Sequence, residues 1–249
     1  MMDAANAPMR LAKRVVEQLQ CSRREAEWVI EGGWVRVDDE VVEQPQFMVQ
    51  AQSVTIDPRA ELRPSEPATI LLNMPASAGS GTEPVNPWPI SAAALVTPTS
   101  RWADDASGWR TLKRHFARLR SPTPLEPSAS GLLVLTQDGR VERRLSEDAA
   151  YIEQEYIVEV SGTMIDDGLQ RLNRGMPAQG RAEFTCKVSW QNETRLRFAI
   201  KPVSPGQIRR MCAEVGLAVV ASKRIRIGRI PLGRMPPGEW RYLPTNERF

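Results

Sequence analysis

The stretch that decides the fold reads Leu125-Glu126-Pro127-Ser128-Ala129-Ser130-Gly131-Leu132-Leu133-Val134-Leu135-Thr136-Gln137-Asp138-Gly139. Residues 132–136 form an apolar run that is typical of a fully buried strand, with turn residues on either side. Glu126 therefore lies on a turn just before a rigid strand, which is how proteins mount a catalytic carboxylate. A solvated loop acid before an ordinary core strand would give the same pattern. The spacing alone leaves both interpretations open.

The composition is that of a soluble globular protein. The chain has 249 residues, of which 41% are hydrophobic and 25% charged, enough for one sizeable domain and a small one. It has no apolar run of membrane-spanning length and no charged-then-apolar leader, so we expect a cytoplasmic protein without a membrane partner. The cysteines Cys21, Cys186 and Cys212 are far apart. Their spacing favours reduced core residues over disulfides or a zinc site.

The histidine count and the distribution of basic residues restrict the classes of function that the chain can have. A single histidine, His115, excludes mechanisms that need two imidazoles, and its basic surroundings predict a surface position. The net charge is only +3, yet residues 201–234 contain eight basic side chains and one acid, Glu214. Such a concentration indicates a polyanion partner, although a solvated basic face would look the same.

Residues 9–57 predict a small module of two helices and a hairpin. Leu11, Val15 and Leu19 recur at helical spacing, and Ser22-Arg23-Arg24-Glu25 has the form of a capping box that opens a second helix. Gly32-Gly33 predicts the end of that helix. Short strands are expected at residues 34–37, up to residue 42, and near residues 54–56.

This module resembles the S4-like, or alpha-L, RNA-binding domain. The family pattern is present as Arg10-Leu11-Ala12-Lys13, Ser22-Arg23-Arg24-Glu25-Ala26 and Gly33-Trp34-Val35-Arg36-Val37. The resemblance implies that five basic side chains face RNA phosphates: Arg10, Lys13, Arg23, Arg24 and Arg36. Up to residue 57 the chain has ten acids and six bases, so RNA contact must use a basic face and not the net charge.

Residues 58–67 lack an apolar period and predict a linker, and residues 68–249 predict an α+β domain of mostly antiparallel strands. We expect strands near residues 69–73, 132–136, 155–160, 183–188, 195–200 and 219–227, and helices near residues 141–145, 165–172 and from 207 to a stop at 216. Residues 76–100 predict loops. Residues 109–120 predict a basic amphipathic helix, which fits either a phosphate contact or a solvated face.

The order of these elements, with the run from Ser130 to Gly139, resembles the bacterial ribosomal-RNA pseudouridine synthases of the RsuA-like family. Other matching pieces are Glu155-Tyr156-Ile157-Val158, Gln207-Ile208-Arg209-Arg210-Met211, and Arg224-Ile225-Arg226-Ile227-Gly228 with the tail that follows it to residue 241. Together with the N-terminal module, the resemblance spans the whole chain.

The resemblance implies a chemistry and its residues. In this family a uridine is flipped out of folded RNA, an aspartate attacks or assists at the sugar, and the uracil is rejoined through carbon, without metal or cofactor. Carried over position by position, the family's aspartate corresponds to Glu126 and its arginine partner to Arg209. The family's tyrosine, which packs on the base, corresponds to Tyr156. The implied partner is structured RNA, most naturally rRNA, bound by a monomer. Further RNA contacts are assigned to Arg210, Lys223, Arg224 and Arg226.

The expected cleft departs from the family motifs. The family's Gly-Arg-Leu-Asp motif is replaced in this chain by Thr123-Pro124-Leu125-Glu126. Ala129 stands where the family has a threonine. The added methylene moves the carboxylate by on the order of 1 Å, which can cost about a hundredfold in rate. In the family's Leu-Asn-Lys-Pro motif, the lysine is replaced by Met74 in this chain. The family's basic segment Glu-Gly-Lys-x-Arg-Gln is replaced by Pro202-Val203-Ser204-Pro205-Gly206-Gln207.

Two hypotheses therefore stay open: an active synthase that uses Glu126, or a catalytically silent RNA-binding relative that acts in ribosome assembly or as an RNA chaperone. An unrelated protein with a coincidental basic face is a third.

Overall fold

The computed structural model describes residues 7–76, 90–126, 129–174, 185–201 and 203–249. The chain divides into two compact units: unit 1 comprises Met1–Pro67 and Arg110–Ala117, and unit 2 comprises Ala68–Trp109 and Arg118–Phe249. Within the described ranges, no helix has the length and apolar character that a membrane crossing requires. The predicted loop residues 77–89, and Pro127, Ser128 and Pro202 of the quoted motifs, lie outside these ranges.

Two helices open unit 1, α1 (Leu11–Leu19) and α2 (Arg23–Glu31). The predicted capping box of α2 is confirmed: the Ser22 hydroxyl accepts from the Glu25 N–H, and the Glu25 carboxylate accepts from the Ser22 N–H at 2.8 Å. Gly32 ends α2, and its N–H donates to the carbonyls of Ile30 and Trp28. The buried faces of both helices meet in one apolar cluster with Val35, because apolar residues recur at helical spacing.

Five short strands complete unit 1: β1 (Met9–Arg10), β2 (Val35–Val37), β3 (Glu40–Val41), β4 (Met48–Val49) and β5 (Val54–Ile56). β2 lies between β3 and β5 in an antiparallel sheet, and β1 pairs with β4. Asp38 and Asp39 have φ values of 48° and 67°, so the two-residue turn between β2 and β3 uses left-handed backbone, as tight hairpins do. The predicted helix–helix–hairpin module is therefore present.

Unit 2 is built on one large sheet. Its strands are β6 (Thr69–Met74), β7 (Ala129–Thr136), β8 (Gln154–Gly162), β9 (Thr185–Trp190), β10 (Arg195–Lys201), β11 (Leu217–Ile227), β12 (Ile230–Pro231) and β13 (Trp240–Tyr242). The order is β13-β6-β7-β11-β8-β10-β9, with β12 paired to β11. Only the β7–β11 pair is parallel among the strands of this described sheet. The predicted α+β architecture with a mostly antiparallel sheet is confirmed.

The helices of unit 2 are α3 (Ile90–Leu95), α4 (Gly139–Ser146), α5 (Gly168–Arg174) and α6 (Gln207–Glu214). The predicted strand at residues 132–136 is β7, and all five side chains are buried because sheet neighbours and apolar clusters cover both faces. α3 corrects the prediction of loops through residues 76–100. Its sequence, Ile-Ser-Ala-Ala-Ala-Leu, contains three alanines and a leucine, which are strong helix formers.

The predicted amphipathic helix at residues 109–120 is wrong. Only Lys113–Phe116 is helical, as one 3₁₀ turn, and Arg118 has a left-handed φ of 55°. The segment Arg110–Ala117 belongs to unit 1, where a Cβ added to Gly33 would lie 2.7 Å from Leu112 Cδ2. His115, which the sequence places at the surface, is 1% exposed. Packing within unit 1, and not a helical stripe, sets this conformation.

Candidate functional site

Glu126 is held at the start of β7 by two hydrogen bonds. Its Oε1 accepts from the backbone N–H of Gly206 at 2.9 Å, and its carbonyl accepts from the N–H of Ala129 at 2.9 Å. Gly206 is the N-cap of α6 and has a left-handed φ of 70°. The N-terminal end of a helix presents free backbone N–H groups, and one of them binds this carboxylate. The side chain expected to react is thus fixed in place.

Arg224 lies in the interior beside this segment and is 1% exposed. Its Nη2 donates to the Thr123 carbonyl at 2.8 Å, and its Nη1 donates to Thr123 Oγ1 at 3.2 Å and to the Pro124 carbonyl at 3.5 Å. Its Nε donates to the Leu132 carbonyl at 2.7 Å. One buried guanidinium therefore joins the segment before Glu126 to strand β7.

Tyr156 and Gln154 extend this buried network. The Gln154 Oε1 accepts from the Tyr156 hydroxyl at 2.8 Å and from Arg224 Nη1 at 3.1 Å. Tyr156 is 6% exposed. Burial raises the pKa of the Tyr156 hydroxyl, the nearby Arg224 lowers it, and the Glu126 carboxylate raises it again, so the three groups interact electrostatically.

Gly131 allows β7 and β11 to approach closely here. Gly131 has a φ of 93°, and a Cβ added to it would lie 2.2 Å from the Arg224 carbonyl oxygen. The parallel pairing of the two strands aligns Gly131 with Arg224. A side chain at residue 131 would force β7 away from the Arg224 backbone.

The structure corrects the assignment of Arg224 to an RNA contact, because its guanidinium is buried among protein oxygen atoms. A β-bulge between Arg224 and Arg226 shifts the register of β11, so the residues that point inward are Arg224 and Ile227. Arg226 is half-buried and pairs with Glu153 at 2.5 Å and Glu155 at 2.7 Å. Its charge is therefore balanced by neighbouring acids, which weakens its assignment to RNA.

The remaining basic residues of this region lie nearer the surface. Arg209 and Arg210 are exposed on the first turn of α6, and Lys223 is half-buried. Arg210 Nη1 donates to the Pro205 carbonyl at 3.0 Å. The described partner of the Glu126 side chain is the backbone of Gly206, and the pairing of Arg209 with Glu126 stays a prediction.

All five predicted RNA-facing residues of unit 1 are exposed: Arg10, Lys13, Arg23, Arg24 and Arg36. Arg23 forms a surface ion pair with Glu27 at 3.0 Å, and the Arg24 guanidinium lies 5.3 Å from the centre of the Trp28 ring. Arg36 Nη1 donates to the Asp39 carbonyl at 2.6 Å. These residues present donors to solvent, as phosphate contacts require, and their RNA role stays a prediction.

Sequence reasoning missed a cavity of about 620 Å³ in unit 1, lined by Trp34, Arg36, Asp57 and Arg110 among others. The Arg110 guanidinium lies 4.0 Å from the centre of the Trp34 ring, and its Nη2 donates to Asp57 Oδ2 at 3.1 Å. Hydrogen bonds from Arg59, and then from Arg110, hold the pKa of the Asp57 carboxyl well below its usual range. No local sequence pattern could indicate that Arg110 contacts Trp34 and Asp57, which lie more than fifty positions earlier in the chain.

Metal-ligating side chains do not cluster in the described ranges: no three His, Cys, Asp or Glu residues there are placed to hold an ion. The three cysteines are free thiols; Cys186 and Cys212 are buried, and Cys21 is partly exposed. Burial raises the thiol pKa of Cys186 and of Cys212 to about 12, which keeps both thiols protonated at neutral pH.

Comparison with known proteins agrees with this arrangement. The S4 domain family matches residues 9–54. A protein of Aquifex aeolicus named as an uncharacterized RNA pseudouridine synthase is 28% identical, over 96% of this chain and 94% of its own length. The ribosomal small subunit pseudouridine synthase A of Vibrio cholerae is also 28% identical, over 96% of this chain and 97% of its own. The chain is a homologue of the RNA pseudouridine synthases.

The chain is also similar to further pseudouridine synthases. The dual-specificity RNA pseudouridine synthase RluF of Escherichia coli is 27% identical, over 97% of this chain and 78% of RluF. A crystal structure of a pseudouridylate synthase shares the fold with a TM-score of 0.55, at 19% identity, over 94% of this chain and 96% of that one. The resemblance seen in the motifs is thereby confirmed for the family, the fold and the S4 domain.

Proposed function

We propose that the chain binds structured ribosomal RNA as a cytoplasmic monomer and isomerises uridine to pseudouridine with Glu126 as its reactive carboxylate. The observation that carries this proposal is the hydrogen bond from the Gly206 N–H to Glu126 Oε1, at 2.9 Å. A carboxylate held by a hydrogen bond at a helix N-terminus is oriented before substrate arrives. The family of the relatives supplies the reaction class.

RNA binding has support from both units. The five exposed cations of unit 1 all lie within the S4 domain match, and Arg209 and Arg210 add positive charge on α6 next to Glu126. Contacts of this kind go mainly to phosphates, so affinity must fall as salt concentration rises. One of the similar proteins is named for the small ribosomal subunit, which favours rRNA as the substrate.

The proposed reaction needs no second substrate. The bond between N1 of uracil and C1′ of ribose breaks, a bond between C5 and C1′ forms, C5 loses a proton and N1 gains one. Glu126 acts at the sugar as nucleophile or as electrostatic support while the uracil turns. Tyr156 is only 6% exposed, so we propose that it forms the floor of the site and presents an edge to the base.

A catalytically silent RNA-binding protein is the second candidate. One carboxylate oxygen of Glu126 is already bound to Gly206, so the side chain could serve only as a cap for α6. The family's cleft lysine is replaced by Met74, and its basic positions before Gln207 by Ser204 and Gly206. With these charges absent, RNA binding can persist while the flipped uridine is poorly stabilised.

One assay separates the candidates. The full chain is incubated with rRNA fragments, and pseudouridine is mapped chemically. If Glu126 reacts, Glu126→Gln lowers the rate at least a hundredfold, whereas Glu193→Gln, at an exposed turn residue, leaves it unchanged. If the wild type forms no product but Glu126→Asp does, the silent candidate is correct and the active one is rejected.

A further inference from the structure

Arg224 is a buried cation without an acidic partner. It is 1% exposed, and no ion pair joins it to an acid among the described residues. An arginine stays protonated in proteins, and a buried charge is costly unless its donors are satisfied. The donors of Arg224 are satisfied by the Thr123 and Leu132 carbonyls and by the amide oxygen of Gln154. Its position therefore needs an explanation beyond general stability.

The contacts of Arg224 connect the backbone just before Glu126 to the sheet. On one side it binds the carbonyls of Thr123 and Pro124, three and two residues before Glu126. On the other side it binds Leu132 of the rigid strand β7. The backbone that carries Glu126 is thus tied to the sheet by planar donors in fixed geometry, which a flexible lysine would not reproduce.

The same guanidinium also fixes Tyr156 through a shared acceptor. Gln154 Oε1 accepts from Arg224 Nη1 at 3.1 Å and from the Tyr156 hydroxyl at 2.8 Å. Because the oxygen has two lone pairs, it satisfies both donors at once. The floor of the site and the segment that carries the carboxylate are held by one residue.

We propose that Arg224 is a positioning residue: through Thr123, Pro124 and Gln154 it sets the place of Glu126 against the N–H of Gly206 and locks Tyr156 beneath it. The kinetic part of this inference rests on the proposed isomerase function, while the positioning itself does not. Catalytic groups tolerate misplacement of about 1 Å only at a cost of about a hundredfold in rate.

The kinetic test uses variants that change these contacts by degrees. We expect Arg224→Gln to lower kcat at least a hundredfold with KM within threefold, and Arg224→Lys to recover about tenfold of that loss. Thr123→Val, which removes only the Oγ1 acceptor, keeps the fold and lowers kcat threefold to tenfold. Arg241→Gln, on β13, is the matched control, since the Arg241 side chain is only 11% exposed and pairs with Glu247.

Amide hydrogen exchange tests the positioning without activity. The Gly206 N–H is protected by its bond to Glu126 Oε1. We expect its exchange to speed up at least tenfold in Arg224→Gln and in Thr123→Val relative to Arg241→Gln, under conditions where all are folded. Equal exchange of Gly206 in these three variants would overturn the inference. Faster exchange without pseudouridine formation by the wild type would reject the isomerase function and keep the positioning role.

Discussion

Arg110 in unit 1 and Arg224 in unit 2 each hold a segment of chain, but by different chemistry. The Arg110 side chain is 35% exposed, and its partners are the Asp57 carboxylate, the Gly33 carbonyl and the Trp34 ring. Arg224 is buried and binds only neutral oxygen atoms. A partly exposed ion pair is screened by water and salt, whereas buried acceptors that lose their donor have no substitute. The two sites should therefore respond very differently to change.

The largest effect is expected for Arg224→Met. Methionine fills part of the volume but leaves the carbonyls of Thr123 and Leu132 buried without donors, which should cost about 3–5 kcal/mol of unit 2 stability. Urea unfolding measures the loss, with Arg241→Met as the comparison. A loss below about 1 kcal/mol would show that water replaces the guanidinium, and the contrast with Arg110 would disappear.

The second largest effect is expected for Gly131→Ala, because the added methyl group clashes with the backbone of Arg224. The new Cβ would lie 2.2 Å from the Arg224 carbonyl at a φ of 93°, so we expect a loss of about 3 kcal/mol from clash and strain together. Gly233→Ala provides the control: its φ is 66°, and nothing lies within 4 Å of the added Cβ. That variant carries only the left-handed strain, about 1–2 kcal/mol. Equal losses in urea unfolding would contradict the close approach of β7 and β11.

The segment that contains Arg110 should respond to pH through His115. Burial, and then the neighbouring Arg114, lower the His115 pKa to about 4, whereas an unfolded histidine titrates near 6.5. As pH falls from 7 to 5, the unfolded chain takes up a proton that the folded chain does not, so unit 1 should lose about 2 kcal/mol. His115 is the only histidine, so His115→Gln should flatten the pH dependence of unfolding in this range. An unchanged slope in the variant would assign the effect to other groups.

Arg110→Gln is expected to have the smallest effect. Because its pair with Asp57 is partly open to solvent, the melting temperature of unit 1 should fall by no more than about 5 °C at low salt. The difference from the wild type should shrink further in 0.5 M salt, where charges are screened over about 4 Å. A loss as large as that for Arg224→Met would mean that the Trp34 ring and the Gly33 carbonyl carry the energy.

Local patterns in the sequence predicted the parts of the fold that depend on neighbouring residues. The apolar run at residues 132–136 is the core of β7, and Ser22 with Glu25 caps α2, because each signal lies within a few positions. The pattern at residues 109–120 failed for the opposite reason. Leu112 packs beside Gly33, nearly eighty positions earlier, and that contact outweighs a helical stripe that only three apolar residues support.

The sequence could name candidate residues for the site but not their geometry. Motif positions led to Glu126 and Tyr156, yet the bond from Gly206 to Glu126 spans eighty positions and depends on how α6 meets β7. Arg224 was assigned to an RNA contact together with the neighbouring basic residues Lys223 and Arg226. The β-bulge between Arg224 and Arg226 interrupts the alternation of inward and outward side chains along β11, and no local sequence pattern predicts it.

The membership of Arg110–Ala117 in unit 1 has a consequence for how the protein is made. The chain crosses between the units after residues 67, 109 and 117, so unit 1 is not a contiguous fragment. A protein cut at residue 67 would lack the buried Leu112 and His115 and the Arg110 partner of Asp57. During synthesis, the N-terminal module must wait for some fifty further residues to emerge before its packing is complete.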